Sequence, residues 1–333
     1  MNQHSPHPTR RAILGALPIA ALTACSGGGQ APGGSLNTPS RTNGPTATGG
    51  TVTSAPPLTE PPRYKPLAGE VQPRCKEAAA AAVAAALNRS PAQSADSAAG
   101  RVKTVGGEGD IAKDLRPLLQ DHSASTIRVI YPQYGGLSDT VRTASVMLLA
   151  EQTYLATPQG TPIRREIIVD VRLTRSGNTW RATRVLVPKL PSKNRPLSKS
   201  AAKLLANRKV ILASPARADV AGGLIDETIL QLLLSLSGKW RLDVQVLRSG
   251  HPVNVFPTNR KSNHTRGRAV DIRSIDGIPV IDHRRSDWEA VMREASRLGA
   301  TEIGGPAVPT DRKSPSPYFT NLVHQDHLHL GFK

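Results

Sequence analysis

At 333 residues the chain is long enough for two folded units. Its 43 Lys and Arg against 25 Asp and Glu give a net charge of +18, which points to anionic partners, while aromatic residues at 3 % argue against a surface that reads nucleic acid by base stacking. Two cysteines do not make a disulfide framework.

Residues 1–24 carry Arg10 and Arg11, an apolar run from Ala12 to Ala24 and no acidic residue. That is the pattern of a secretory signal, and the run is too short to span a bilayer. Leu22-Thr-Ala-Cys25 resembles a bacterial lipobox, which implies that the signal is removed and Cys25 acylated. At about 0.8 kcal/mol per buried CH₂, two or three acyl chains would hold the protein on the extracytoplasmic face of the cell membrane. Thr9-Arg-Arg-Ala-Ile-Leu14 also resembles a twin-arginine export signal. Export turns the positive charge toward anionic wall polymers and lipid headgroups and away from nucleic acid; a solvated basic surface with no specific partner is the alternative. Residues 25–66 are rich in Gly, Ser, Thr and Pro and are expected to form a disordered linker. A coil of about forty residues spans on the order of 35 Å, and roughly 130 Å if pulled straight. With Cys25 acylated, Cys75 has no partner and is expected to be a small buried residue or an unpaired thiol.

Residues 67–190 are expected to form an α+β domain. Cys75 to Asn88 is Ala-rich and predicts a helix. Ile127–Tyr131, Ala144–Leu155, Arg165–Arg175 and Thr179–Val187 predict strands, the last two joined by a hairpin turn at Ser176-Gly-Asn178. This order of elements resembles cystatin-like domains, in which a helix packs in a curled antiparallel sheet. No residue here forms a catalytic constellation, so the expected role is spacer or recognition. Pro188–Pro196 predicts a linker.

Residues 197–333 are expected to form a second α+β domain. Leu204–Leu212 predicts helix into strand, Gly223–Leu236 an apolar helix, and Trp240–Leu247 a strand delivering Arg248 and His251. Trp288–Leu298 predicts a helix with Trp288, Val291, Met292 and Ala295 on one face, and Ala300–Gly304 enters another strand. Helices on one face of the sheet would leave the other face open.

Of nine histidines, six lie between His251 and His329. Two segments hold most of them: Ser262-Asn-His264-Thr-Arg-Gly267-Arg-Ala269-Val-Asp271, and His324-Gln-Asp326-His327-Leu-His329. Arg268–Ser274 alternates, with Val270 and Ile272 toward a core and Asp271 opposite. His327–Phe332 alternates too, with Leu328, Leu330 and Phe332 buried and His327 and His329 opposite. If these strands are neighbours, Asp271 and His329 meet, and a turn at Gly267 folds His264 back over them. Two imidazoles and a carboxylate are the ligand set of a catalytic Zn²⁺ with one position open. Asp326 is a further carboxylate suited to take a proton from water. It is expected on an irregular strand entry near solvent.

At these residues the chain resembles the zinc D-alanyl-D-alanine carboxypeptidase and murein endopeptidase family, whose fold is that of the Hedgehog signalling domain. The motifs are S-x-H-x-x-G-x-A-x-D and, late in the chain, D-x-x-H. The resemblance covers about the last third of the chain. It implies zinc ligands at His264, Asp271 and His329, Asp326 as general base, and His327 and His324 as histidines flanking the base. His327 would stabilise an oxyanion and Ser262 would orient the first ligand. Lysostaphin-like endopeptidases also end in H-x-H, but they place three residues between the first His and the Asp, where this chain has six. The family often carries Ser-Gly-Tyr-Arg-Ser upstream, its Arg holding the substrate carboxylate. This chain reads Arg248-Ser-Gly-His251-Pro252, so Pro252 stands where that Arg would be. Arg248, Arg260 and Arg266 are candidates to replace it, or else members of a solvated basic rim. Together these features read as a membrane-anchored, zinc-dependent peptidase acting on peptidoglycan stem peptides, as carboxypeptidase or endopeptidase. The alternative is a non-catalytic, zinc-containing wall-binding lipoprotein.

Overall fold

The computed structural model describes residues 58–333, apart from 91–92, 94–96, 120–123, 193–195 and 311–315. The leader, Cys25 and most of the linker lie outside the described residues. Residues 58–66, assigned to the linker from composition, are packed in part. Glu60 Oε1 accepts a hydrogen bond from Asn88 at 2.8 Å, and Tyr64 lies against the first core.

Pro73 opens helix α1 (Pro73–Leu87) at its first turn, where its fixed φ suits a helix and its missing N–H costs nothing. The alanines that follow are strong helix formers. They also let α1 approach closely the sheet of β1 (Ala124–Leu137), β2 (Thr143–Leu155), β3 (Ile163–Ser176) and β4 (Thr179–Leu186). Cys75, Ala79, Val83, Ala86 and Leu87 are buried there, and burial pushes the Cys75 thiol up to about 12. The sheet is antiparallel throughout, in the order β1-β2-β3-β4. Gly177, with φ +56°, makes the β3–β4 turn. Short helices α2 (Ala98–Thr104) and α3 (Ile111–Asp114) complete this helical layer.

The middle strands are apolar on both faces. Val146, Leu148 and Ala150 of β2 and Ile167 and Val169 of β3 face α1. Met147, Leu149 and Ile168 point the other way and pack on Ala213 and Val246 of the C-terminal half. That half contains α4 (Lys199–Ala206), β5 (Val210–Leu212), α5 (Ser214–Ala221), α6 (Glu227–Leu236), β6 (Leu242–Val246), β7 (Ala269–Ile275), β8 (Ile278–Pro279), α7 (Trp288–Arg297), β9 (Glu302–Gly304), β10 (Tyr318–Phe319) and β11 (Leu328–Gly331). Its mixed sheet runs β10-β9-β11-β7-β6-β5, with β8 on β7. Val244, Val270, Ile272, Leu328 and Leu330 bury one face against α4, α6 and α7. Asp226 caps α6 by accepting from Thr228 N at 3.1 Å, and Ser198 caps α4 in the same way through Ala201 N.

The molecule is therefore mixed α+β in four layers: helices, antiparallel sheet, mixed sheet, helices. Buried Gln245 joins the two sheets, its Nε2 donating to the Tyr131 and Met147 carbonyls at 3.2 and 3.0 Å. The second sheet's expected open face is covered, because β2 and β3 carry apolar side chains on the face that alternation would leave for solvent. Both sheets belong to one compact unit, Val52–Lys333. Among the described residues no helix is long and apolar enough to cross a membrane.

Candidate metal centre

β11 pairs antiparallel with β7 in a register that sets His329 opposite Asp271. The same alternation that buries Val270, Ile272, Leu328 and Leu330 turns these two side chains toward the first sheet. His264 arrives from a 3₁₀ turn, His264–Arg266, closed by Gly267 at φ +71°. A Cβ at Gly267 would lie 2.1 Å from the Leu224 carbonyl oxygen, so this close approach needs glycine. His264 Nε2 is 3.1 Å from Asp271 Oδ1 and 3.2 Å from His329 Nδ1, and the third side, His329 Nδ1 to Asp271 Oδ1, is 3.1 Å. His264, Asp271 and nearby His251 have donor atoms within 4.8 Å of one another and could hold a metal ion.

The remaining polar atoms of the triangle are tied to neighbouring groups. His264 Nδ1 donates to the Leu247 carbonyl at 2.6 Å, which turns Nε2 toward the triangle. Gln133 of β1 donates to Asp271 Oδ2 at 2.8 Å. His329 Nε2 lies 3.7 Å from Glu302 Oε2, and Glu302 also accepts from Asn263 Nδ2. Ser262 Oγ accepts from His264 N at 3.2 Å, so it braces the turn that carries His264. His251 stacks on His264, ring centroids 4.0 Å apart, and its Nδ1 donates to the Pro252 carbonyl at 2.7 Å.

Electrostatics favour a charged carboxylate among these rings. Burial acts to raise the Asp271 pKa, but the facing His264 and His327 and hydrogen bonds from His264 and His329 hold it well below the usual range. The neighbouring His329 holds Glu302 down at about 2, against burial. Burial works against a proton on His329, yet the hydrogen bond to Asp271 and the nearby Glu302 carboxylate lift it to about 9; a cation at the triangle would replace that proton. Burial, then the neighbouring rings, keeps His251 and His324 well below the usual imidazole value.

Asp326 differs from expectation. It is not near solvent but 2 % exposed, and both of its oxygens are engaged. Oδ1 accepts from His327 Nδ1 at 2.6 Å. Oδ2 accepts from Lys76 Nζ of α1 and from Tyr134 N of β1. Burial would raise its pKa, but Lys76 and His327 hold it below the carboxylate norm. β1, together with Lys76 of α1, covers the turn Val323–Gln325 and the residue after it, which sequence alternation alone could not reveal. His327 Nε2 is 3.8 Å from Asp271 Oδ1.

A cleft of about 660 Å³ opens onto the triangle, lined by His251, Asp271, His324, His327 and His329 from one side and by Tyr134–Asp139 of the first sheet from the other. Asp326 does not line it. Of the arginines read from the sequence, Arg260 lines this cleft and lies 4.0 Å from Glu302. Arg248 lines a neighbouring cavity of about 700 Å³, across the loop that begins at His251. Arg266 is exposed and lines neither, because the turn that delivers His264 inward points it outward. His283 Nε2 donates to the Gln325 carbonyl at 2.8 Å, so it braces the turn before Asp326.

Sequence reasoning missed Gln133, Glu302 and Lys76. Gln133 and Lys76 carry no motif and reach the site across more than a hundred residues of chain. Glu302 had a weak signal: it is the polar residue of a short apolar segment, and β9 pairs with β11 beside His329. No family model, no curated protein and no solved structure matches the chain.

Proposed function

We propose that this protein is a zinc-dependent peptidase acting on the stem peptides of cell-wall peptidoglycan. The observation that carries the reading is the convergence of His264 Nε2, Asp271 Oδ1 and His329 Nδ1 within 3.1–3.2 Å of one another, beside a cleft that Asp271, His327 and His329 line. Two imidazole nitrogens and one carboxylate oxygen suit Zn²⁺ with an open position, and the hydrogen bonds on the far side of each ligand fit that role. Bound there, zinc supplies Lewis acidity toward a substrate carbonyl and toward water.

The chain's own residues handle the protons. Asp326 accepts the His327 Nδ1 proton, which leaves Nε2 as the basic atom on the cleft side. His327 Nε2 takes a proton from the attacking water and delivers it to the leaving amine, while the Asp326 carboxylate stabilises the ring when it is charged. The base role first read for Asp326 thus moves to its neighbour, and Asp326 becomes its support. His251 and His324 line the cleft with Nδ1 committed to Pro252 O and to Asn321 Oδ1, so their Nε2 atoms serve as acceptors for substrate N–H groups. Arg260 offers the cleft a cation for a stem-peptide carboxylate. The wall as substrate rests on the motif resemblance and on the lipobox at Cys25, which would tether the enzyme on the outer membrane face; Cys25→Ser should then leave the membrane fraction.

The test is incubation of the mature protein with purified peptidoglycan. Soluble peptides should appear with zinc present and stop when a chelator removes it. A protein that holds zinc and retains wall fragments without releasing peptides, across pentapeptide and cross-linked substrates, would favour the non-catalytic wall-binding lipoprotein.

A further inference from the structure

Lys76 is wholly buried, which is rare for lysine unless its charge is paired. It sits in the first turn of α1, in the domain expected to be a spacer. Its ammonium meets Glu70 and Asp326, approaches Tyr131 Oη at 3.3 Å, and lies over the rings of Tyr131 and Tyr134 at 4.7 and 5.1 Å. Tyr131 in turn donates to Glu70 Oε1 at 2.8 Å. Asp326 is 250 residues away along the chain and 2.5 Å away in space.

Two carboxylates and one ammonium are a poor device for stability alone. Burying such groups costs about as much as their attraction returns, and apolar replacements of similar volume often do better. What the arrangement does achieve is to fix Asp326. One oxygen is held by Lys76 and the Tyr134 amide, and the other is aimed at His327 Nδ1. The His327 ring is thereby turned with Nε2 toward the cleft.

We infer that Lys76 is a positioning residue of the site: the N-terminal domain clamps Asp326, and through it sets the orientation of His327, so the site is complete only with both domains. The consequence for turnover rests on the peptidase reading above; the consequence for His327 does not.

The experiment uses the full mature chain, zinc-loaded, with ¹⁵N-labelled histidine. The His327 ring signals are assigned by comparison with His327→Gln. Three properties are then measured on Lys76→Met: zinc content, the His327 Nδ1–H resonance, and hydrolysis of stem peptides. Zinc should stay at about one per chain, because no ligand is touched. The Nδ1–H resonance should shift or vanish, and kcat should fall about 10- to 100-fold, the usual cost of losing a supporting partner, with KM changed less than about twofold on the same basis. A role in stability alone would lower the melting temperature and leave the resonance and kcat in place, and that outcome overturns the inference. If Lys76→Met fails to fold, Lys76→Met/Asp326→Asn removes both members of the pair and leaves no unpaired charge on Asp326. Its His327 signals should match those of Asp326→Asn alone, and a difference between the two overturns the inference. If the wild type cleaves nothing, the peptidase reading fails, and the resonance arm still decides whether Lys76 governs His327.

Discussion

Each of the three converging residues has one polar atom in the triangle and another tied to a neighbour: His264 to Leu247 O, Asp271 to Gln133, His329 toward Glu302. This division predicts a graded response to substitution. His264→Ala, Asp271→Ala and His329→Ala should each remove stoichiometric zinc, measured by elemental analysis after dialysis. Gln133→Leu and Glu302→Gln should keep the site but weaken zinc by about 10- to 100-fold. His327→Gln should keep zinc and lose about 10²- to 10⁴-fold in turnover, the worth of general acid–base help. Full zinc in all three alanine variants would end the metal reading; an equally active His327→Gln would return the base role to Asp326 or His324. At this scale the sequence was a good guide wherever the partner lay on an alternating strand. Val270/Asp271/Ile272 and Leu328/His329/Leu330 told which side chains share a face. It failed at Asp326, whose surroundings are set by Lys76 and Tyr134, two residues with no local tie to it.

Elements with strong local signals match their predicted places. The Ala-rich segment is α1, with Asn88 as its C-cap, and the Ser176–Asn178 turn joins β3 to β4. The helix expected from Gly223 begins only at Glu227, because Asp226 caps it, and Asp226 is itself held by Arg268 at 3.1 Å. Strands β8 and β10, two residues each, are too short to carry a periodicity. β1 runs to Leu137, well past the apolar stretch ending at Tyr131, because its later residues pair with β2 and wall the cleft. The turn into β7 is the element on which the site depends most. Gly267→Ala would force a Cβ at φ +71° against the Leu224 carbonyl. It should cost about 1–3 kcal/mol of stability and, by moving the turn that bears His264, weaken zinc binding. Denaturant melts and zinc titration check both effects, and a variant as stable and as tight as the wild type would show that the turn has slack.

At the scale of the molecule, the layering decides where the chemistry lies. Composition and pattern gave two α+β segments, and nothing in either predicts that β2 and β3 would turn their second apolar face onto β6 rather than onto a separate partner. That contact converts the second sheet's open face into an interior. It also brings Gln133 to Asp271 and Lys76 to Asp326, so the triangle lies between two sheets. A site built this way should couple the two halves thermodynamically. Zinc at a hundredfold excess over its Kd should stabilise the fold by about 2.7 kcal/mol if it binds only the native state. Because Gln133 holds Asp271 from β1, the added protection should reach the first sheet. Amide exchange followed by mass spectrometry should slow in peptides covering β1 and α1 as well as in those covering β7 and β11. Protection confined to residues 197–333 would mean that the N-terminal half rests on the site without sharing its energetics, and the four layers would then be two neighbours in contact and not one working unit.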